Sequence, residues 1–202
     1  MTNFVLPSHV NFASITIRQA QKVRLDESSF NFVQQVVGYG GQRWEADINL
    51  PTMTHADARV WLGFLAELKG PTHTFTMGDP AGATARGGAG GTPLVAGASQ
   101  TGATLNIDGA TTTQTGWMKA GDYIQLGSGV DARIHMVTTD ADTALGATTL
   151  KLWPDMTVAP ADNAAVVVAS TVAAWRLATP VSWDTQLASL YGLSFSAVSV
   201  VS

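Results

Sequence analysis

Residues 42–80 constrain the fold more than any other stretch, because they read as strand, turn, helix, turn, strand. Trp44, Ala46, Ile48 and Leu50 alternate with Arg43, Glu45, Asp47 and Asn49, the period of a half-buried strand. Pro51 ends it, since proline cannot donate to a ladder. Thr54 stands where a helix N-cap belongs, with Asp57 three residues on in place of the usual Glu. Ala58, Trp61, Phe64, Leu65 and Leu68 follow at helical spacing, and Gly70-Pro71 is a stop signal. Residues 72–77 alternate again before Gly78-Asp79-Pro80 turns the chain away.

On either side of this unit the pattern is β. Residues 12–18 suit a strand with Ala13, Ile15 and Ile17 inward, after an irregular arm over residues 1–12. Residues 28–37 suit a second, and Tyr39-Gly40-Gly41 looks like the hairpin turn that joins it to the strand of residues 42–50. Residues 81–102 hold seven glycines and almost no large apolar side chain, which predicts a linker or long surface loop. Residues 103–169 then read as about five short strands near ten-residue intervals, the mark of a small barrel or sandwich. Ala173, Trp175 and Leu177 share a strand face, and Tyr191, Leu193, Phe195, Ala197 and Val201 share another, with residues 182–184 as a connection. A terminal strand this apolar docks most economically into the first sheet. The expected organisation is therefore an outer β domain in two parts, residues 1–80 and 171–202. A glycine-rich linker over 81–102 would lead from it to an inserted β domain over 103–170.

Composition narrows the function classes. Charged residues are only 13% of the chain, about half the usual quarter, so much of the surface is uncharged and easy to bury against other subunits. A net charge of −4, with four basic and seven acidic side chains over 81–170, gives no basic face for nucleic acid. With no cysteine, disulfides and thiolate chemistry are excluded. No run approaches the ~20 apolar residues of a membrane span. No signal-peptide pattern opens the chain, so synthesis in the cytoplasm is expected.

A search for catalytic chemistry finds none. His9, His55, His73 and His135 have no metal-ligand spacing, and solvated or hydrogen-bonded side chains account for them. Asp140-Ala141-Asp142 opens like a calcium loop, but Leu145 and Lys151 stand where glycine and glutamate are required. Asp155 and Asp162 read as loop residues. The glycines near Arg86 lack the ordered phosphate-cradling motifs, and no G-x-S-x-G elbow exists. Fifteen acidic residues make some carboxylate pair inevitable, so they single out no glycosidase. Trp44, Trp61 and Trp175 fall on core faces. Trp117, Trp153 and Trp183 sit near turns and are the candidates for exposed aromatic contacts with a ligand such as a sugar. No cofactor is implied.

Three stretches together resemble a known family: Gly41-Gln42-Arg43-Trp44-Glu45-Ala46-Asp47-Ile48, then Phe75-Thr76-Met77-Gly78-Asp79-Pro80, then Leu190-Tyr191-Gly192-Leu193-Ser194-Phe195. They are similar to distal tail proteins of long-tailed bacteriophages and of related gene transfer agents. Residues 119–127 resemble the second domain of that group. The resemblance implies a non-enzymatic structural virion protein, a homohexameric ring at the tail tip. It would join the tail tube protein above to the baseplate hub protein below, and tail fibres could attach to its projecting domain. DNA would only pass through the lumen, where basic side chains would hold its phosphates, and nothing would insert into a membrane. The implied fold class is mainly β (α+β): a β-sandwich or split-barrel ring domain with one flanking helix, plus an inserted small β-barrel or sandwich. A tail-tube or tail-terminator subunit is the alternative of the same class, and a carbohydrate-binding host-recognition module the alternative of another.

Overall fold

A computed structural model describes residues 1–8, 11–181, 183–185 and 190–201. The chain opens with β1 (Asn3–Phe4), β2 (Ser14–Glu27), β3 (Gln34–Asn49) and β4 (Met53–Thr54). The helix α1 (His55–Glu67) and β5 (Thr74–Met77) follow. The middle is all strand: β6 (Gly91–Val95), β7 (Gly102–Ala110), β8 (Thr113–Met118), β9 (Tyr123–Leu126), β10 (Arg133–Val137), β11 (Ala141–Ala144) and β12 (Thr148–Met156). The end returns as β13 (Ala173–Leu177), β14 (Trp183–Thr185) and β15 (Leu190–Ser199). The protein is mainly β, 52% strand against 8% helix.

The first sheet runs β1-β5-β13-β15-β3-β2, with β4 and β14 also on β15. Both ends of the chain therefore meet in one layer. Its centre is β15, antiparallel to β3 from Ser194↔Asn49 to Val198↔Glu45 and to β13 from Trp175↔Ser199 to Leu177↔Ala197. The period-two faces of β3, β13 and β15 bury Trp44, Ala46, Ile48, Trp175, Leu177, Phe195 and Ala197. Leu193 and Ala173 are buried too, whereas Val201 is half exposed.

Helix α1 closes this core. Thr54 Oγ1 accepts from the Asp57 backbone N–H at 3.4 Å and itself donates to Asp57 Oδ2 at 2.7 Å, which satisfies one orphan donor of the first turn. Ala58, Trp61, Phe64, Leu65 and Leu68 are all buried, as their spacing predicts. Rings then meet edge-on through the layer: Trp61 to Phe64 at 5.9 Å, Phe64 to Phe75 at 6.0 Å and Phe75 to Phe195 at 6.1 Å.

A five-stranded sheet, β6-β7-β12-β10-β9, and a two-stranded one, β11-β8, enclose a second core. Residues 81–102 differ from the linker their composition predicts. Residues 91–95 form a strand on β7, and residues 164–166 bridge its other side, where Pro93 O accepts from the Val166 N–H at 3.0 Å. Gly87 lies so close to β8 that a Cβ would meet Trp117 O at 2.2 Å, so glycine there is a packing requirement and not a flexible joint. Asp155 also departs from expectation: it lies in β12, and its N–H donates to Gln42 Oε1 at 2.7 Å.

Asp122 pins the glycine-rich stretch. Its carboxylate, almost wholly buried, accepts from the N–H groups of Arg86, Gly87 and Lys119 at 3.0, 3.1 and 2.8 Å, and from Arg86 Nε at 3.3 Å. Burial opposes the charge, but these donors outweigh it and hold the pKa below the ordinary 3.8. Asp122→Asn sets an NH2 group against such donors and is expected to cost about 2–4 kcal/mol at neutral pH. As the pH falls, the unfolded carboxyl takes its proton first. The stabilisation is therefore complete above the unfolded value and is lost as the pH drops through the folded one. Thermal melts should show the gap between wild type and variant narrowing as the pH falls from the unfolded value towards the folded one; a constant gap down to about pH 2 would refute the assignment.

The two cores are joined. Trp44 lies edge-on to Trp153 at 4.5 Å and to Tyr123 at 5.9 Å, and donates Nε1–H to Ile134 O at 3.0 Å. Gln125 Oε1 accepts from the Val172 N–H at 2.8 Å.

Candidate assembly surface

The hairpin of β2 and β3 pairs from Ser14↔Asn49 to Glu27↔Gln34. Its turn is at residues 28–33, where the Ser28 N–H donates to Val33 O and the Phe32 N–H to Ser28 O. This corrects the expectation of a turn at Tyr39-Gly40-Gly41 and of a separate strand over residues 28–37. Gly40, at φ +71°, supplies a bulge inside one continuous strand. While β2 advances from Gln21 to Val23, β3 runs from Gln42 to Gly38, two residues more. Both assignments use the same glycine signal, and only the pairing distinguishes them.

The two halves of the hairpin live in different surroundings. Near its base Ile15 and Ile17 pack against the core beside Trp44, Ala46 and Ile48, although Ala13 is exposed. From Gln21 to Glu27, and from Gln34 to Gly41, every residue is exposed. Seven residues at about 3.3 Å each carry the tip roughly 23 Å past Gln21. Yet this arm is apolar. Leu25 and Val36 are cross-strand partners and Val23 lies two residues from Leu25, so the three share a face, in the same parity as Ile15 and Ile17. At the tip Phe30 is 99% and Phe32 75% exposed, and Tyr39 and Val33 are exposed as well.

Three of the arm's charged side chains are engaged within the hairpin. Arg24 meets Asp26 at 2.9 Å, and Gln34 Nε2 donates to Glu27 Oε2 at 2.6 Å. At the base Arg18 meets Asp47 at 2.6 Å. The Ser196 hydroxyl, donating at 2.6 Å, and then Arg18 keep the Asp47 pKa below its ordinary value. An open groove of about 510 Å³ beside the base is lined by Lys22, Arg43, Glu45 and Arg176 among others. Glu45 is its one carboxylate among the described residues and is tied to Arg43 at 2.6 Å, while Arg176 donates to Pro71 O. The groove offers no convergent acid and base of the sort glycoside cleavage needs.

The three candidate tryptophans are not brought together. Trp117 is fully buried in the second core, its Nε1–H donated to Gly90 O at 2.9 Å under the glycine-rich stretch. Trp153 is half-buried against Trp44. The exposed contact expected of Trp117 is thus corrected, because the glycine-rich stretch lies over it, whereas Trp153 keeps part of its surface open beside the first core. Trp183 is 52% exposed and sits in a short strand, β14, where the sequence suggests a connection.

His73, His135 and the loop aspartates have hydrogen-bond partners within the fold. His135 is buried, with Nδ1 2.6 Å from Pro154 O. A carbonyl only accepts, so Nδ1 carries the proton, and burial pushes the pKa below the usual 6.5. His73 Nδ1 accepts from the Thr2 N–H, and His9 lies outside the described residues. Asp140 accepts from the Ala120 N–H, Asp142 from the Gly116 N–H and Asp162 from the Gly97 N–H. No group of three potential metal ligands occurs among the described residues.

No family model matches the chain, and no curated protein matches it.

Proposed function

We propose that this chain is a structural, ring-forming subunit of the kind its tail-protein resemblance implies, an adaptor between a phage tail tube and the baseplate hub. The observation that carries the reading is the β2–β3 arm. Monomeric surfaces seldom expose contiguous apolar patches beyond a few hundred Å², and this arm presents Val23, Leu25, Val36, Phe30 and Phe32 to solvent. Such a surface is accounted for by burial in an assembly. A charged fraction of 13% agrees with a surface largely covered by neighbours.

Electron microscopy of the purified protein tests the proposal. Six-fold rings are expected, one per tail in intact particles. Many stacked rings per tail would favour a tube subunit, and monomers at high concentration would remove the reading altogether.

A further inference from the structure

A second apolar feature, open among the described residues, lies elsewhere on the chain. Leu62 and Leu65 of α1, Leu177 at the end of β13, and Val181 and Trp183 line a groove of about 240 Å³. That is below the ~300–1,000 Å³ of a small-molecule pocket, and no acid, base or cation lines it among the described residues. It suits a side chain or two presented by a protein. The arm tip is an apolar knob of that kind: Phe30 stands clear of its own chain, so its own groove does not receive it.

We infer that the Phe30–Phe32 tip of one copy docks into the groove between α1 and Trp183 on the next copy of this same chain. The inference rests on the ring-forming reading and deepens it by naming both halves of the contact. Knob and hole are different patches of one surface. Repeating their contact is therefore heterologous, head to tail, and it gives a ring when the rotation closes. Area agrees with a second copy as the occupant. Two aromatic side chains bury about 150–250 Å² each. With the Val23, Leu25 and Val36 face added, the arm approaches the ~800 Å² per partner of a standard interface. Aromatic residues at the centre of such a contact carry most of its affinity.

The absence of cysteine makes the test direct. Full-length Ser29→Cys and Thr179→Cys proteins, which keep Phe30, Phe32 and Trp183, are mixed and oxidised, with Leu145→Cys, 89% exposed on a remote turn, replacing Thr179→Cys as the control. A disulfide-linked pair from the first mixture, absent from the control and from either single variant alone, is the expected result. In parallel, a double variant carrying Phe30→Ser and Phe32→Ser should melt like wild type at concentrations where both are dissociated, because both side chains are exposed on the single chain, and should associate at least about tenfold more weakly in sedimentation. Rings without the cross-link would overturn the docking and leave the ring reading standing. A cross-link in assemblies that are not rings would support the docking and remove the ring. Monomers without a cross-link, or equal linking in the control, would overturn the docking.

Discussion

Trp61→Asp is expected to give insoluble protein, or soluble protein without cooperative unfolding. Trp61 is fully buried on the inner face of α1, with the rings of Phe12, Phe64 and Phe195 at 6.1, 5.9 and 6.2 Å. Removing the indole alone costs about 3–5 kcal/mol. A carboxylate in the same place finds no donor, and an unpaired buried charge adds several kcal/mol more. Against a total stability of about 5–15 kcal/mol, the sum leaves little or nothing. Trp61→Phe separates charge from volume. Trp61 Nε1 has no hydrogen-bond partner among the described residues, so phenylalanine deletes an unsatisfied donor and keeps most of the packing. It should remain soluble and lose only about 1–2 kcal/mol. Soluble, cooperatively melting Trp61→Asp would show that the helix face is not core.

The alternation of residues 44–50 and the cap, stripe and stop of α1 are legible in the sequence because each is a local rule satisfied by neighbouring residues. The return of residues 173–177 and 193–197 to the first sheet is legible for a different reason: their faces are too apolar to stand alone. The arm is not legible in the same way. A run such as Phe30 to Val37 signals burial, and sequence does not say whether the covering surface belongs to the same chain. Read as core, that run needs a turn directly after it, and Gly40-Gly41 is the nearest glycine signal. The glycine-rich stretch misleads through composition. Gly87 and Gly88 permit close approach to β8 and not free motion, which depends on what lies opposite.

The candidate surface is harder still to read. Trp183 stands out in the sequence only for its nearness to a turn, and its partners in the groove come from α1 and β13, far apart along the chain. Trp117 shares that sequence signature and is buried. Apart from the family resemblance, the low charged fraction is the one sequence signal pointing towards assembly, and it names no residues.

Trp44→Ala is expected to uncouple the two cores. Trp44 is one residue of β3, yet it touches Trp153 and Tyr123 of the second set of strands and donates to Ile134 O. Truncation removes about 3–5 kcal/mol of packing and leaves a buried carbonyl without its donor. For a chain of this size each kcal/mol lowers Tm by about 2–4 °C, so a fall of about 6–20 °C is expected. The remaining ties between the cores include Asp155 N–H to Gln42 and Val172 N–H to Gln125. These are single hydrogen bonds worth about 1 kcal/mol each, as is that from the Ala174 N–H to Ala132 O, and with Trp44 gone the apolar contact left is mainly that of Ile134 and Met136 with the first core. Calorimetry should therefore resolve two transitions where wild type shows one, with the strands β6–β12 melting apart from the sheet centred on β15. Trp44→Phe keeps a ring against Trp153 and loses only the N–H, so it should fall by a few degrees and still melt as one unit. A single transition within about 2 °C of wild type for Trp44→Ala would show that the cores are held together elsewhere.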